Sequence, residues 1–388
     1  MPSAPVILSD VPGSFPWGVF HERHPKLVRQ VLDALPYGPA EREAVGRLLA
    51  ESTTGVLEPP EEGTPDHARW LEWGQGLWGR PWGEVPFLWA ESYFYHRLLD
   101  ATGYFRPGAW QGIDPFAPFK NAELAGVAVD DELSALDGLR ALPEAGRWEA
   151  LLSSALWGNR ADLGFRITAA TDEARSPALL ADDGALLGST LDRSRGGLLC
   201  LVADNAGREL LPDLVLLDHL LTSGLAGRVV LYVKPRPYYV SDATTADVLA
   251  TVERLRTAPG PEAALIGRRL WRAMNDGTLA VRTHPFFCAP LPFHDLPADL
   301  RTEFAGATLT ILKGDLNYRR LVGDRRWPPT TPFAETTGHF PSPVTALRTL
   351  KSDVIVGLGT AQVTALDRSG EPWRTSGRHA VVQARATT

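Results

Sequence analysis

The stretch that most constrains this chain is Leu198–Leu211, LLCLVADNAGRELL. An apolar run bounded by glycine on one side and a polar turn on the other reads as a buried strand. After the turn, leucines at 210, 214, 217 and 221 repeat with helical spacing. Arg228–Val233, RVVLYV, then reads as a second buried strand. Strand, helix and strand in this order make a right-handed βαβ unit with a parallel strand pair. Open sheets of this kind bind ligands beyond the carboxyl ends of their strands. Asp204 and Asn205 stand at that end, and the N-terminus of the following helix, with Glu209, points to the same place. One turn therefore offers two oxygen ligands for a hard cation and a positive dipole for an anion.

The same alternation continues downstream. Leu279–Arg282, Ala307–Leu312 and Asp353–Gly357 read as further strands separated by helical patterns. The expectation is an α/β fold: a Rossmann-like three-layer α/β/α domain with a mainly parallel sheet over residues 151–388. Residues 1–150 read as a helical N-terminal domain, and 388 residues suffice for two domains. Within the helical part, LWAESYFYHRLLDATGYF carries Trp89, Tyr93 and Tyr95, which cannot all face one helix core. That segment is expected to pack over the mouth of the α/β site.

Composition excludes several roles. The net charge of −7 comes without any basic run, which argues against a nucleic-acid partner. The N-terminus MPSAPVILSDVPGSFPWG lacks the basic start and apolar core of a secretory signal, and no apolar run is long enough to span a membrane. The two cysteines, Cys200 and Cys288, make no disulfide framework, which fits a reducing cytoplasm.

Polar residues collect where the expected strands end. Asp204 and Asn205 follow the first; Lys234, Ser241 and Asp242 follow the second; the KGDLNYRR run 313–320 follows Ala307–Leu312. Two aspartates and an asparagine form an oxygen-rich set that suits Mg²⁺ or Mn²⁺ better than zinc. Lys351 and Arg319 are candidates to neutralise a phosphate beside that metal. Each residue also has a plainer reading. Asp242 suits a helix N-cap, KGDLNYRR a solvated turn, and RTLK (348–351) a helix C-terminus. There is no HExxH, no CxxC pair and no G-x-S-x-G. The residues alone imply metal-assisted chemistry on an anionic ligand. Chain order argues against Lys351, because RTLK precedes the expected strand SDVIVGL, which would run away from the site.

Taken together, LWAESYFYHRLLDATGYF, DPFAPFK, ALWGNRADLG (155–164), VADNAGRE, VSDATTAD, LKGDLNYRRLVGDRRWPPTTPF and ALRTLKSD resemble the damage-control phosphatase family. The branch they resemble was once described as acidic-residue (protein-glutamate) methyltransferase-like, and the motifs stand in its order. The resemblance implies metal-dependent hydrolysis of phosphate monoesters of small phosphorylated metabolites, often sugar phosphates; between a metal-activated water and an aspartate as the attacking group, the water is the expectation. It implies Asp204, Asn205 and Asp242 as metal ligands, with Mn²⁺ or Mg²⁺ expected and Co²⁺ or Ni²⁺ as further candidates. It implies Glu209, Asp315, Leu316, Asn317, Tyr318, Arg319 and Lys351 as substrate-binding residues. Phe287 in HPFFCAPLPF stands where this branch carries a tryptophan, which bears on the shape of the substrate pocket. The rival reading is an S-adenosylmethionine-dependent carboxyl methyltransferase, for which the usual glycine-rich loop and acidic ribose ligand are not evident.

Overall fold

The structure, a computed structural model, describes residues 4–158 and 178–386. Residues 159–164 of the ALWGNRADLG motif lie outside the described residues. The centre of the fold is a seven-stranded sheet. Its strands are β1 (Ala178–Asp182), β2 (Gly197–Val202), β3 (Ala226–Val233), β4 (Leu279–Thr283), β5 (Leu309–Lys313), β6 (Val344–Thr349) and β7 (His379–Arg385), in the spatial order β1-β7-β6-β5-β2-β3-β4. The five strands β6-β5-β2-β3-β4 are mutually parallel; β7 runs antiparallel to β6, and β1 pairs parallel to β7.

Alternating side chains of the strands enter two different cores, as a period-two pleat requires. Cys200, Val202, Val230, Tyr232 and Leu312 pack on one face with Phe20, Phe94, Tyr95 and Tyr318. Leu199, Leu201, Val229, Leu231 and Ile311 pack on the other with Leu133, Leu151, Leu214 and Leu217. The helical residues before 158 thus cover both faces, and share their cores with the strands.

The order of the strands creates the site. The chain steps outward from β2 to β3 to β4, then returns across β2 to place β5 on its other side. The helix after β2, Leu210–Thr222, packs on one face, and the helix after β5, Gly314–Val322, on the other. A crevice opens between β2 and β5 where the two connections diverge, the position where doubly wound sheets hold ligands.

Two expectations about strands need correction. Asp353–Gly357 is not a strand. Val354, Ile355 and Val356 are buried, which explains the apolar run, but side chains rather than a neighbouring strand satisfy much of their backbone. Arg348 donates to the Val354 carbonyl, the Tyr318 hydroxyl accepts from the Val356 amide, and Gln383 donates to the Val356 carbonyl. The strand is instead β6, which lies before that run and contains Arg348 and Thr349. Strands β1 and β7 are not among those expected from the sequence.

Candidate active site

Asp204, Asn205 and Asp242 meet at the carboxyl edge of β2 and β3. Backbone bonds join the two loops: the Ala243 amide donates to the Asp204 carbonyl (2.8 Å), and the Ala206 amide to the Ser241 carbonyl (2.7 Å). Asn205 and Asp242 form an isolated antiparallel bridge. The Ser241 hydroxyl donates to Asn205 Oδ1 (2.8 Å), and Asn205 Nδ2 donates to Asp204 Oδ2 (3.3 Å). The loop ends two residues later in a capping box, Thr244 with Asp247. Lys120, from the helical segment, is buried between Asp114 (2.7 Å) and Asp247 (2.8 Å), so the DPFAPFK motif clamps this loop.

Both aspartates are buried, Asp204 at 7% and Asp242 at 4% exposure. Burial pushes the Asp242 carboxyl up to about 6 although Lys234 lies 3.4 Å away. Burial also drives Asp204 well above the ordinary carboxylate range, and the negative charges of Glu209 and Asp242 add to the shift. Asp242 Oδ2 and Lys234 Nζ are buried and face each other as a long ion pair of 3.4 Å, with no hydrogen bond to any other described residue. Two crowded carboxylates, one held only by a long ion pair to Lys234, beside an amide oxygen with a spare lone pair, form a donor set that a hard divalent cation fits. Among the described residues no three histidine, cysteine or carboxylate side chains gather as a metal cage; the set here offers three oxygen donors only when Asn205 is included.

Gly314, the first residue after β5, lets Asp204 occupy the crevice. It has φ of +82°, and a Cβ there would lie 1.8 Å from Asp204 Oδ2. Any larger residue must adopt a left-handed backbone and displace the carboxylate. Gly314→Ala is expected to lower phosphate release at least ~100-fold and abolish stabilisation by Mn²⁺, while the fold is retained at a cost of about 1–3 kcal/mol. Steady-state assay, thermal melts with and without Mn²⁺ and far-ultraviolet circular dichroism check this; wild-type Mn²⁺ stabilisation would refute it.

The KGDLNYRR run divides. Asp315 is half-buried at the rim, where its Oδ1 accepts from Arg348 Nε (2.8 Å), the Lys351 amide (3.2 Å) and Ser352 Oγ (3.1 Å). Burial works to raise its carboxyl, but Arg348 and Arg319 outweigh this and hold it below the usual range. Leu316, Asn317, Tyr318 and Arg319 are buried beneath the site. Asn317 Nδ2 donates to the carbonyls of Ala203 (3.1 Å) and Lys313 (2.8 Å), tying the ends of β2 and β5 together across the crevice. Tyr318 donates to Gln383 (2.8 Å) and lies under the Arg348 guanidinium. Arg319 is locked by Glu91 (2.9 Å) and Asp324 (2.7 Å). In this structure Arg319 therefore does not stand as a free phosphate cation, because two buried carboxylates already hold it.

Lys351 does reach the site. Strand β6 runs parallel to β5, so the loop after it leaves from the same edge as Asp204 and Asp315. Lys351 Nζ lies 3.2 Å from Glu209 Oε1 and is 44% exposed. Burial lowers its pKa, but Glu209 and Asp204 more than offset this, so the ammonium stays charged. Arg348, fully buried, also holds Ser352 (3.0 Å) and thereby fixes the loop that presents Lys351.

Residues of the helical segment stand beside the site; the sequence pattern singles out Tyr95 among them but not Glu91 or Glu123. Glu91 accepts from Tyr239 (3.3 Å) as well as Arg319. Tyr95 stacks on Tyr239 at 4.6 Å, whereas Trp89 and Tyr93 face the other way into a cluster with Trp70, Trp78 and Trp82. Glu123 lies against Gly207, where a Cβ would stand 2.5 Å from its Oε2. Phe287 is core, packed against Tyr232 at 5.3 Å.

Residues 19–366 match the damage-control phosphatase ARMT1-like domain. The chain is 31% identical to damage-control phosphatase ARMT1 of Bos taurus, with 98% of each chain covered. It is 30% identical to that of Danio rerio, over 96% of this chain and 94% of the relative. A solved DUF89 family protein from Pyrococcus horikoshii shares the fold, with a TM-score of 0.51 over 95% of this chain and 97% of that one at 15% identity. This chain therefore belongs to the ARMT1-like damage-control phosphatase family and is a phosphatase of that family.

Proposed function

We propose that the crevice between β2 and β5 hydrolyses phosphate monoesters of small phosphorylated metabolites, sugar phosphates first among them. Asp204, Asn205 and Asp242 would hold a divalent cation, Mn²⁺ or Mg²⁺. The observation that carries this reading is the pair of buried carboxylates with raised pKa, crowded together next to a lysine and two helix N-termini. Such a pair is costly alone and is relieved by a cation. When bound, the cation would supply a Lewis acid toward phosphate oxygens and an acidified water as the attacking group.

The chain's own residues do the rest. Lys351 lies beside Glu209 and meets the dianionic phosphate as a compact positive charge. The N-termini of the Leu210–Thr222 and Gly314–Val322 helices add fixed positive dipoles from either face of the sheet. Asn205 carries no charge, which limits repulsion toward the dianion. Asp315, held by Arg348 and Ser352, faces hydroxyl groups of the substrate as an acceptor. Phosphoryl transfer needs mainly positioning and charge neutralisation, which this arrangement provides.

The test is inorganic phosphate release from a panel of sugar phosphates and other phosphometabolites, with Mn²⁺, Mg²⁺, Co²⁺ or Ni²⁺ and with chelator. A parallel assay measures methyl transfer from S-adenosylmethionine. Metal-dependent release without methyl transfer is expected; methyl transfer without release would overturn the proposal. No helix among the described residues is long and apolar enough to cross a membrane.

A further inference from the structure

Beside the site one carboxylate has no ion pair. Glu123 belongs to the helix Ala117–Leu124, one turn after Lys120, whose ammonium is buried against Asp114 (2.7 Å) and Asp247 (2.8 Å). That anchor fixes the helix against the Asp242 loop. The Glu123 carboxyl rests on Gly207, two residues after Asn205 and two before Glu209. A Cβ built on Gly207 would lie 2.5 Å from Glu123 Oε2 and 2.9 Å from its carboxyl carbon. Gly207 has φ of +62°, so glycine both permits the turn and leaves room for the carboxylate. Glu123 is half-buried, and no lysine or arginine among the described residues forms an ion pair with it.

Glu209 is hemmed in at the same turn. Gly158, which ends the helix Glu144–Trp157, has φ of +48°, and a Cβ there would lie 2.7 Å from Glu209 Cγ. The end of that helix is itself held, since Lys313 donates to the Ala155 carbonyl and pairs with Asp213 at 2.7 Å. Glu209 is therefore confined, with Glu123 close by. Burial raises the Glu123 carboxyl and the charge of Glu209 adds to this, while Arg208 and Lys351 pull it down. The ion pair of Glu209 is Lys351, at 3.2 Å, and Asp315 has Arg348. A phosphate that takes up the charge of Lys351 leaves Glu209 without its partner, and Glu123 has none to lend. Carboxylates in that state accept from hydroxyl or ammonium donors and repel an anion brought next to them.

We propose that Glu123 is a specificity-determining residue: beside Glu209 it accepts from a hydroxyl or ammonium group on the alcohol part of the substrate and turns away esters that carry a second anionic group. This rests on the phosphate site proposed above and narrows its substrates to phosphate monoesters of uncharged or amine-bearing polyols, sugar phosphates among them.

The test uses the full chain loaded with Mn²⁺, as wild type, Glu123→Gln and Glu123→Asp. The probes are glucose 6-phosphate and 6-phosphogluconate, which share the phosphate and the carbon skeleton and differ by a carboxylate at the far end. Wild type should favour glucose 6-phosphate in kcat/KM by on the order of 10-fold or more. Glu123→Gln keeps the shape and an acceptor oxygen but loses the charge, so the two esters should move in opposite directions. Glucose 6-phosphate should fall by about 3–10-fold, the scale of a weakened charge-assisted contact, and 6-phosphogluconate should rise by about as much. Glu123→Asp keeps the charge and should keep the preference. A merely structural role would lower both esters together and would overturn the proposal, as would a wild type without preference or a ratio unchanged in Glu123→Gln. Calorimetric binding of both esters is measured alongside. If wild type binds the esters but releases no phosphate, the phosphatase site is refuted, while the ratio of the two affinities in wild type and Glu123→Gln still decides the role of Glu123.

Discussion

Asp204→Asn should lower phosphate release by on the order of 10³-fold or more and, in the same protein, raise the melting temperature of the metal-free form. The two effects have one cause. Asp204 is buried with Glu209 and Asp242 nearby, so its ionised form is disfavoured in the folded state. A carboxyl whose folded pKa lies above its unfolded value destabilises the fold as pH rises through that interval. For Asp242, at about 6, the loss accumulates between roughly pH 4 and pH 6. The metal-free wild type should therefore be less stable at pH 8 than at pH 5, and Asp204→Asn should flatten that slope. Adding Mn²⁺ should stabilise the wild type at pH 8 by mass action and leave Asp204→Asn nearly unmoved. Melts at both pH values, with Mn²⁺ and with chelator, read all of this out. A variant that Mn²⁺ still stabilises as it does the wild type would show that Asp204 is not a ligand.

Lys351→Ala is the second large expected effect. Lys351 is the one site cation among the described residues that combines substantial exposure with a position against Glu209. Arg319 is immobilised by Glu91 and Asp324, and Arg348 by Asp315 and Ser352, so neither can swing in to replace it. Its removal should cost about 2–4 kcal/mol in kcat/KM, the scale for one preorganised charge donor. Mn²⁺ affinity should change little, because a protonated lysine is no ligand. Lys351→Arg should recover little, since a planar fork does not reproduce a compact ammonium. The measurement is kcat/KM for the three proteins beside a Mn²⁺ titration. Turnover near wild type in Lys351→Ala would reduce Lys351 to a surface partner of Glu209.

The Lys351 case shows how the fold and the sequence relate. Read as a string, RTLK stands before an apolar run, and an apolar run suggests a strand leading away from the site. The sheet reverses that geometry by taking Val344–Thr349 as its strand, polar residues included, and leaving Val354–Val356 buried but outside the ladder. Burial alone does not distinguish the two: a strand needs a neighbour's backbone, and that neighbour is β5, more than thirty residues away in the chain.

What the sequence determined by itself is local. The strand, turn and helix around Leu198–Leu211 follow from periodicity, and with them the placement of Asp204 and Asn205 at a carboxyl edge. The oxygen-rich donor set follows from residue type, and the ordered motifs from VADNAGRE to ALRTLKSD carry the family. What only the tertiary structure decided is everything that needs two distant segments in one place. The crossing of the chain from β4 back to β5 opens the crevice and sets Gly314 against Asp204. The return of the Phe87–Ala101 helix over the sheet turns Arg319 inward to Glu91 and brings Tyr95 onto Tyr239. No spacing along the chain encodes these contacts, because each depends on long-range packing, which sets the distance between residues tens to hundreds of positions apart.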